Sequence, residues 1–70
     1  MNIGDKYKII GFNCGRYAMS RLSSMEIVEG AIIEIEAVQP VGPITIKVNK
    51  SIYTLGRGLF DKLILEKLDK

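Results

Sequence analysis

The sequence predicts a mainly β protein: a small antiparallel β-barrel of about five strands with one short α-helix near residues 17–25. Three observations carry that prediction. Apolar and polar residues alternate over several short segments, Gly, Pro and Asn punctuate the chain between them, and one stretch changes to a spacing of three and four. Seventy residues make one domain, 1–70. A chain this short buries little of its surface, so it needs a staple, a closed sheet or a partner. Cys14 is the only cysteine and histidine is absent, which leaves no intrachain disulfide and too few of the usual zinc ligands. Sheet closure, which removes exposed edges, or association is therefore expected to supply the missing stability.

The first strand is expected over 6–12, where Tyr7 and Ile9 alternate with lysines. Gly4-Asp5 before it reads as a turn, and Asn13-Cys14-Gly15 after it as a loop. Ala18, Met19, Leu22 and Met25 then recur on one face of a helix, with Ser20, Arg21, Ser23 and Ser24 on the other. Two to three turns cannot stand alone in water, so this helix is expected to lie on the rest of the fold and plug one barrel end. Met19 and Met25 read as core.

After the Glu29-Gly30 turn, residues 31–38 form the clearest strand, with Ile33, Ile35 and Ala37 on one face and Glu34 and Glu36 on the other. Pro40-Val41-Gly42-Pro43 ends it, since proline donates nothing to a ladder. Residues 44–48 and 52–55, separated by Asn49-Lys50-Ser51, are spaced as a hairpin. Gly56-Arg57-Gly58 opens a loop, Leu59-Phe60-Asp61 fits one helical turn, and 63–68 is the closing strand before a polar end at 69–70.

Charge and motif content exclude several classes. The net charge is +2 and the ten basic residues form no run of the kind that marks a nucleic-acid or anionic-lipid patch. No segment reaches the length of an apolar membrane span, the N-terminus lacks an apolar signal region, and a free cysteine fits a reducing compartment, so the expected location is the cytoplasm. Gly56-Arg57-Gly58 matches neither phosphate-binding fingerprint. Without a histidine or another nucleophile–base pair, neither catalysis nor a cofactor is expected. Glu34 and Glu36 are explained by a solvated strand face, and the methionines suit only soft metals. Val41, Ile44, Tyr53, Ile64 and Leu68 together exceed what so small an interior easily absorbs, which points to an apolar binding or self-association surface.

The order of motifs resembles the FeoA family. Its residues are Gly4, the pair Arg21-Leu22, the run Met25-Glu26-Ile27-Val28-Glu29-Gly30 into Ile32–Val38, the turn Pro40-Val41-Gly42-Pro43-Ile44, the strand Ile44–Val48, the step Leu55-Gly56-Arg57, and Leu63–Leu65. Two positions depart from the family pattern. Glu26 replaces a helix-ending glycine and would resist a left-handed cap, and Gly56 replaces an arginine.

The resemblance implies an SH3-like barrel and a cytosolic accessory protein of ferrous iron transport. Its implied partner is the FeoB-type membrane transporter, which carries a GTPase domain. Arg21, Leu22, Met25 and Arg57 are the partner-binding residues that the match suggests, with Leu22 anchoring the helix that presents Arg21. The plainer reading makes Arg21 a solvated arginine and Leu22 simple core. No nucleic acid and no membrane insertion are expected, and homo-oligomerisation stays open. The alternative function is nucleic-acid binding, because small barrels of this shape also serve RNA and DNA. A third reading is the similar barrel at the C-terminus of metal-dependent repressors, although this chain has no helix-turn-helix.

Overall fold

The computed structural model describes residues 1–68. The expected polar end at 69–70 lies outside the described residues. Along the chain come β1 (Lys6–Phe12), α1 (Arg16–Ser24), β2 (Ile32–Ala37), β3 (Ile44–Val48), β4 (Ser51–Leu55), α2 (Arg57–Phe60) and β5 (Leu63–Lys67). The strands form one antiparallel sheet in the order β4-β3-β2-β1-β5. The mainly β, five-stranded fold is thus as the sequence predicts, and the first helix covers 16–24 where 17–25 was expected.

Full closure does not occur. Among the described residues no ladder joins β4 to β5, so the sheet has two edges, and α2 bridges the step between them. Curvature comes from irregularities in two strands. In β1, Ile10 and Gly11 stand where β5 offers one partner, because Ile9 pairs with Leu65 and Gly11 with Ile64. In β2 the register shifts between Ile35 and Ala37. Each extra residue bends its strand and inverts the inside–outside alternation beyond it. This is why Ala37, expected to face inward with Ile33 and Ile35, is exposed.

The core follows from the remaining alternation. Ile9 of β1, Ile33 and Ile35 of β2, Ile44, Ile46 and Val48 of β3, and Leu55 of β4 are buried together. Leu22 and Ile27 close one side, and Phe60 and Leu63 the other end of the chain's path. The helical face is centred on Leu22, flanked by half-buried Ala18 and Met25. Met19 sits about 60° to the opposite side of Leu22 at 100° per residue. It is therefore 42% exposed rather than core.

The end of α1 is the most informative local structure. The Ile27 amide donates to the Leu22 carbonyl at 3.0 Å, and the Glu26 amide to the Ser23 carbonyl at 3.0 Å. This is a Schellman cap, with Glu26 in the left-handed position at φ +64°. The accompanying apolar contact joins Ile27 to Leu22, both fully buried. Glu26 was expected to resist such a cap. It adopts one because its carboxylate is held from across the fold: Asn49 Nδ2 donates at 3.1 Å and the Tyr53 hydroxyl at 3.0 Å.

Candidate partner-binding surface

Two of the sequence-predicted residues belong to the interior. Leu22 is fully buried, so it fixes α1 to the sheet and presents nothing to a partner. Met25 is half-buried against the core at the helix end. Arg57 is committed elsewhere. Its Nε donates to the Gly42 carbonyl at 3.2 Å and its terminal nitrogen to the Gln39 carbonyl. The guanidinium thereby ties the 39–43 turn to the start of α2, and its planar fork suits that double contact.

Arg21 is the predicted residue that the fold displays. It is exposed in the last turn of α1, where a cation is favoured by the helix dipole. Four residues earlier, Tyr17 is 77% exposed, and residues four apart lie on the same helical face. Arg16, next to Tyr17 in sequence, is also exposed, whereas Met19 lies about 160° around the helix from both Tyr17 and Arg21. Among the described residues neither Arg16 nor Arg21 forms an ion pair, and the first turn of α1 has no acidic residue. The result is a basic surface carrying a displayed tyrosine, a type well suited to contact another protein. Tyr17 was missed from sequence. The only signal was its place among the polar positions of the helix, where an aromatic has no core to serve.

The outer face of the sheet is of a different character. Lys6 and Lys47 stand on either side of Glu34, and Lys8 is opposite Glu66. Opposite charges placed across strands favour the sheet and balance its charge, although among the described residues none of these pairs closes to an ion pair. The apolar surplus seen in the sequence is partly resolved: Ile44 is buried and Tyr53 half-buried, while Val41 and Ile64 are exposed. Ile10 and Ile32 join Ile64 among the exposed apolar residues of β5, β1 and β2.

At the N-terminus, Asp5 accepts the Asn2 amide at 2.9 Å and lies 3.7 Å from the Lys67 ammonium. The Asn2 amide, with Lys67 contributing less, holds the Asp5 carboxyl below its ordinary value. Cys14 is half-buried against the core. Among the described residues no group of His, Cys, Asp or Glu is arranged to hold a metal ion, and no helix is long and apolar enough to cross a membrane.

These features define a small SH3-like β domain with two short helices. The FeoA domain family model matches residues 1–67, and the chain belongs to the FeoA family, which is associated with ferrous iron transport. A crystal structure of an iron uptake regulatory protein (FeoA) is 34% identical, with a TM-score of 0.92, covering 97% of this chain and 91% of that one. An FeoA-like protein from Clostridium acetobutylicum is 25% identical, with a TM-score of 0.86, covering all of this chain and 83% of its own. The iron(II) transport protein A from Clostridium thermocellum is 26% identical with a TM-score of 0.89; it covers 97% of this chain, which spans 43% of it. No curated protein matches the sequence.

Proposed function

We propose that this chain is a non-catalytic accessory protein of ferrous iron transport, recruited from the cytoplasm to an FeoB-type transporter and acting on its GTPase domain. The exposed basic face of α1, with Tyr17 and Arg21 one turn apart and no ion pair to Arg16 or Arg21 among the described residues, is the observation that supports this reading. Tyrosine and arginine are the side chains that most often dominate a protein interface. The positive charge of Arg16 and Arg21 selects an acidic surface on the partner and speeds the encounter. Leu22 contributes by holding α1 in place, and Arg57 by shaping the neighbouring turn.

Nucleic-acid binding is disfavoured by the outer sheet. Its lysines face glutamates across the strands and do not line up as a tract for phosphates.

The test is ferrous iron uptake in cells that depend on this chain and its transporter. Arg21→Ala and Tyr17→Ala should each lower uptake several-fold while the protein accumulates normally. Uptake equal to wild type for both would refute α1 as the working surface. Leu22→Arg is unsuitable, because a charge in the core removes the fold along with the surface.

A further inference from the structure

The two edges of the sheet are unlike. On β5, Glu66 and Lys67 place charges along the strand, a common way to keep an edge from pairing with other chains. β4, Ser-Ile-Tyr-Thr-Leu, has neither charge, proline nor bulge within it. It is the last strand in the sheet order, and Ile52 on its outer face is 61% exposed.

The hairpin fixes which backbone groups lie at that edge. Asn49 and Lys50 form a two-residue loop with φ of +49° and +74°, the signature of a type I′ turn. Val48 and Ser51 close it as a hydrogen-bonded pair. Because such pairs alternate, Tyr53 and Leu55 also turn their amides and carbonyls toward β3. Ile52 and Thr54 therefore turn theirs away from the sheet. Both residues are exposed, and among the described residues no other backbone group bonds to either.

We infer that β4 is a self-association edge, pairing antiparallel with β4 of a second copy about a two-fold axis through Tyr53. In that register Ile52 lies opposite Thr54 of the other copy and exchanges both main-chain bonds with it, so all the outward groups of the strand are used. Ser51 meets Leu55, Lys50 meets Gly56 and Asn49 meets Arg57, so no like charges face each other. The two outer side chains at each pair, isoleucine and threonine, are β-branched and pack well across strands. The Tyr53 ring is directed inward to Glu26, which keeps it off the axis. This self-complementarity favours a second copy over a foreign strand. A contact of so few residues falls below the roughly 1,200 Å² of a standard interface, so the dimer is weak and concentration-dependent.

The inference stands on the edge alone and is independent of the transport reading. Its test is sedimentation equilibrium of the full chain from micromolar to millimolar concentration, with amide hydrogen exchange followed in parallel. The average mass should climb toward that of a dimer, and the Ile52 and Thr54 amides should gain protection with concentration. Thr54→Pro deletes an outward donor without removing a main-chain bond to β3, although it also loses the 3.2 Å contact between the Thr54 and Thr45 hydroxyls. Ile52→Glu places a carboxylate beside Lys47, its cross-strand partner, and a charge at the seam. Both variants should keep the folded amide spectrum and weaken association at least tenfold. If Thr54→Pro does not fold, Ile52→Glu decides alone. Monomer mass at every concentration, association undiminished in the folded variants, or protection confined to the Ile10, Ile32 and Ile64 face would overturn it.

Discussion

The Tyr53 hydroxyl donates to the Glu26 carboxylate at 3.0 Å, joining the end of α1 to the β3–β4 hairpin across 27 residues of sequence. Asn49 of the same hairpin donates to the other carboxylate oxygen. This pair of bonds offsets the backbone strain of a residue with a Cβ at a left-handed cap. Glu26→Ala keeps the strain and loses both bonds, so it should cost about 1–2 kcal/mol by urea denaturation. Glu26→Gly loses the bonds but relieves the backbone, and should lie within about 1 kcal/mol of wild type. A double-mutant cycle of Glu26→Ala with Tyr53→Phe should show a coupling of about 0.5–1 kcal/mol, as expected for an exposed bond. Additive changes would mean that the bond contributes nothing in solution.

Lys50 is strained without such compensation, since its left-handed φ of +74° has no partner bond to support it among the described residues. Lys50→Gly supplies the residue that the second position of a type I′ turn prefers. It should stabilise the protein by about 1 kcal/mol, raising Tm by roughly 4–8 °C in a domain of this size. A lower Tm would show that the Lys50 side chain supports the hairpin in some other way.

Arg21 and Leu22 are neighbours in sequence with opposite roles. Leu22→Ala opens a cavity in the core and should cost about 2–5 kcal/mol. Arg21→Ala touches only surface and should change stability by less than about 0.5 kcal/mol. Thermal melts of the two variants check this directly. Equal losses would place Arg21 in a structural role.

Asp5 gives the acid limb of stability a definite sign. Its folded pKa is depressed below the ordinary 3.8, chiefly by the Asn2 amide and to a smaller extent by Lys67, against a partial opposing desolvation. The stabilisation is therefore present above that usual value and is lost as pH falls through the folded pKa. Asp5→Asn should lower the urea midpoint at neutral pH, with the difference from wild type shrinking below about pH 4. A difference constant with pH would contradict the linkage.

Strands were legible because the core demands strict alternation. Ile33, Ile35, Ile44, Ile46 and Val48 announce their buried faces, and β1 and β3 fall where the pattern puts them. The pattern fails at Ala37, where an extra residue shifts the phase by one, a change that no local composition encodes. The cap at Glu26 was hidden for a different reason: its support comes from Asn49 and Tyr53, far along the chain. Of the candidate surface, Arg21 was visible, whereas Leu22 and Met25 share its helix but turn to the interior. Arg57 was read from a motif, and only the folded turn shows its guanidinium engaged by backbone carbonyls. Tyr17 needed the helix to exist before its exposure had meaning.

The central claim is that the basic face of α1 binds the transporter's GTPase domain. The most direct measurement is a calorimetric titration of this chain into that cytosolic domain, with and without a GTP analogue, repeated with Arg21→Ala and Tyr17→Ala. The account predicts saturable binding that each substitution weakens at least about fivefold, equivalent to roughly 1 kcal/mol. Absence of binding in every nucleotide state, or binding that both substitutions leave unchanged, would contradict it.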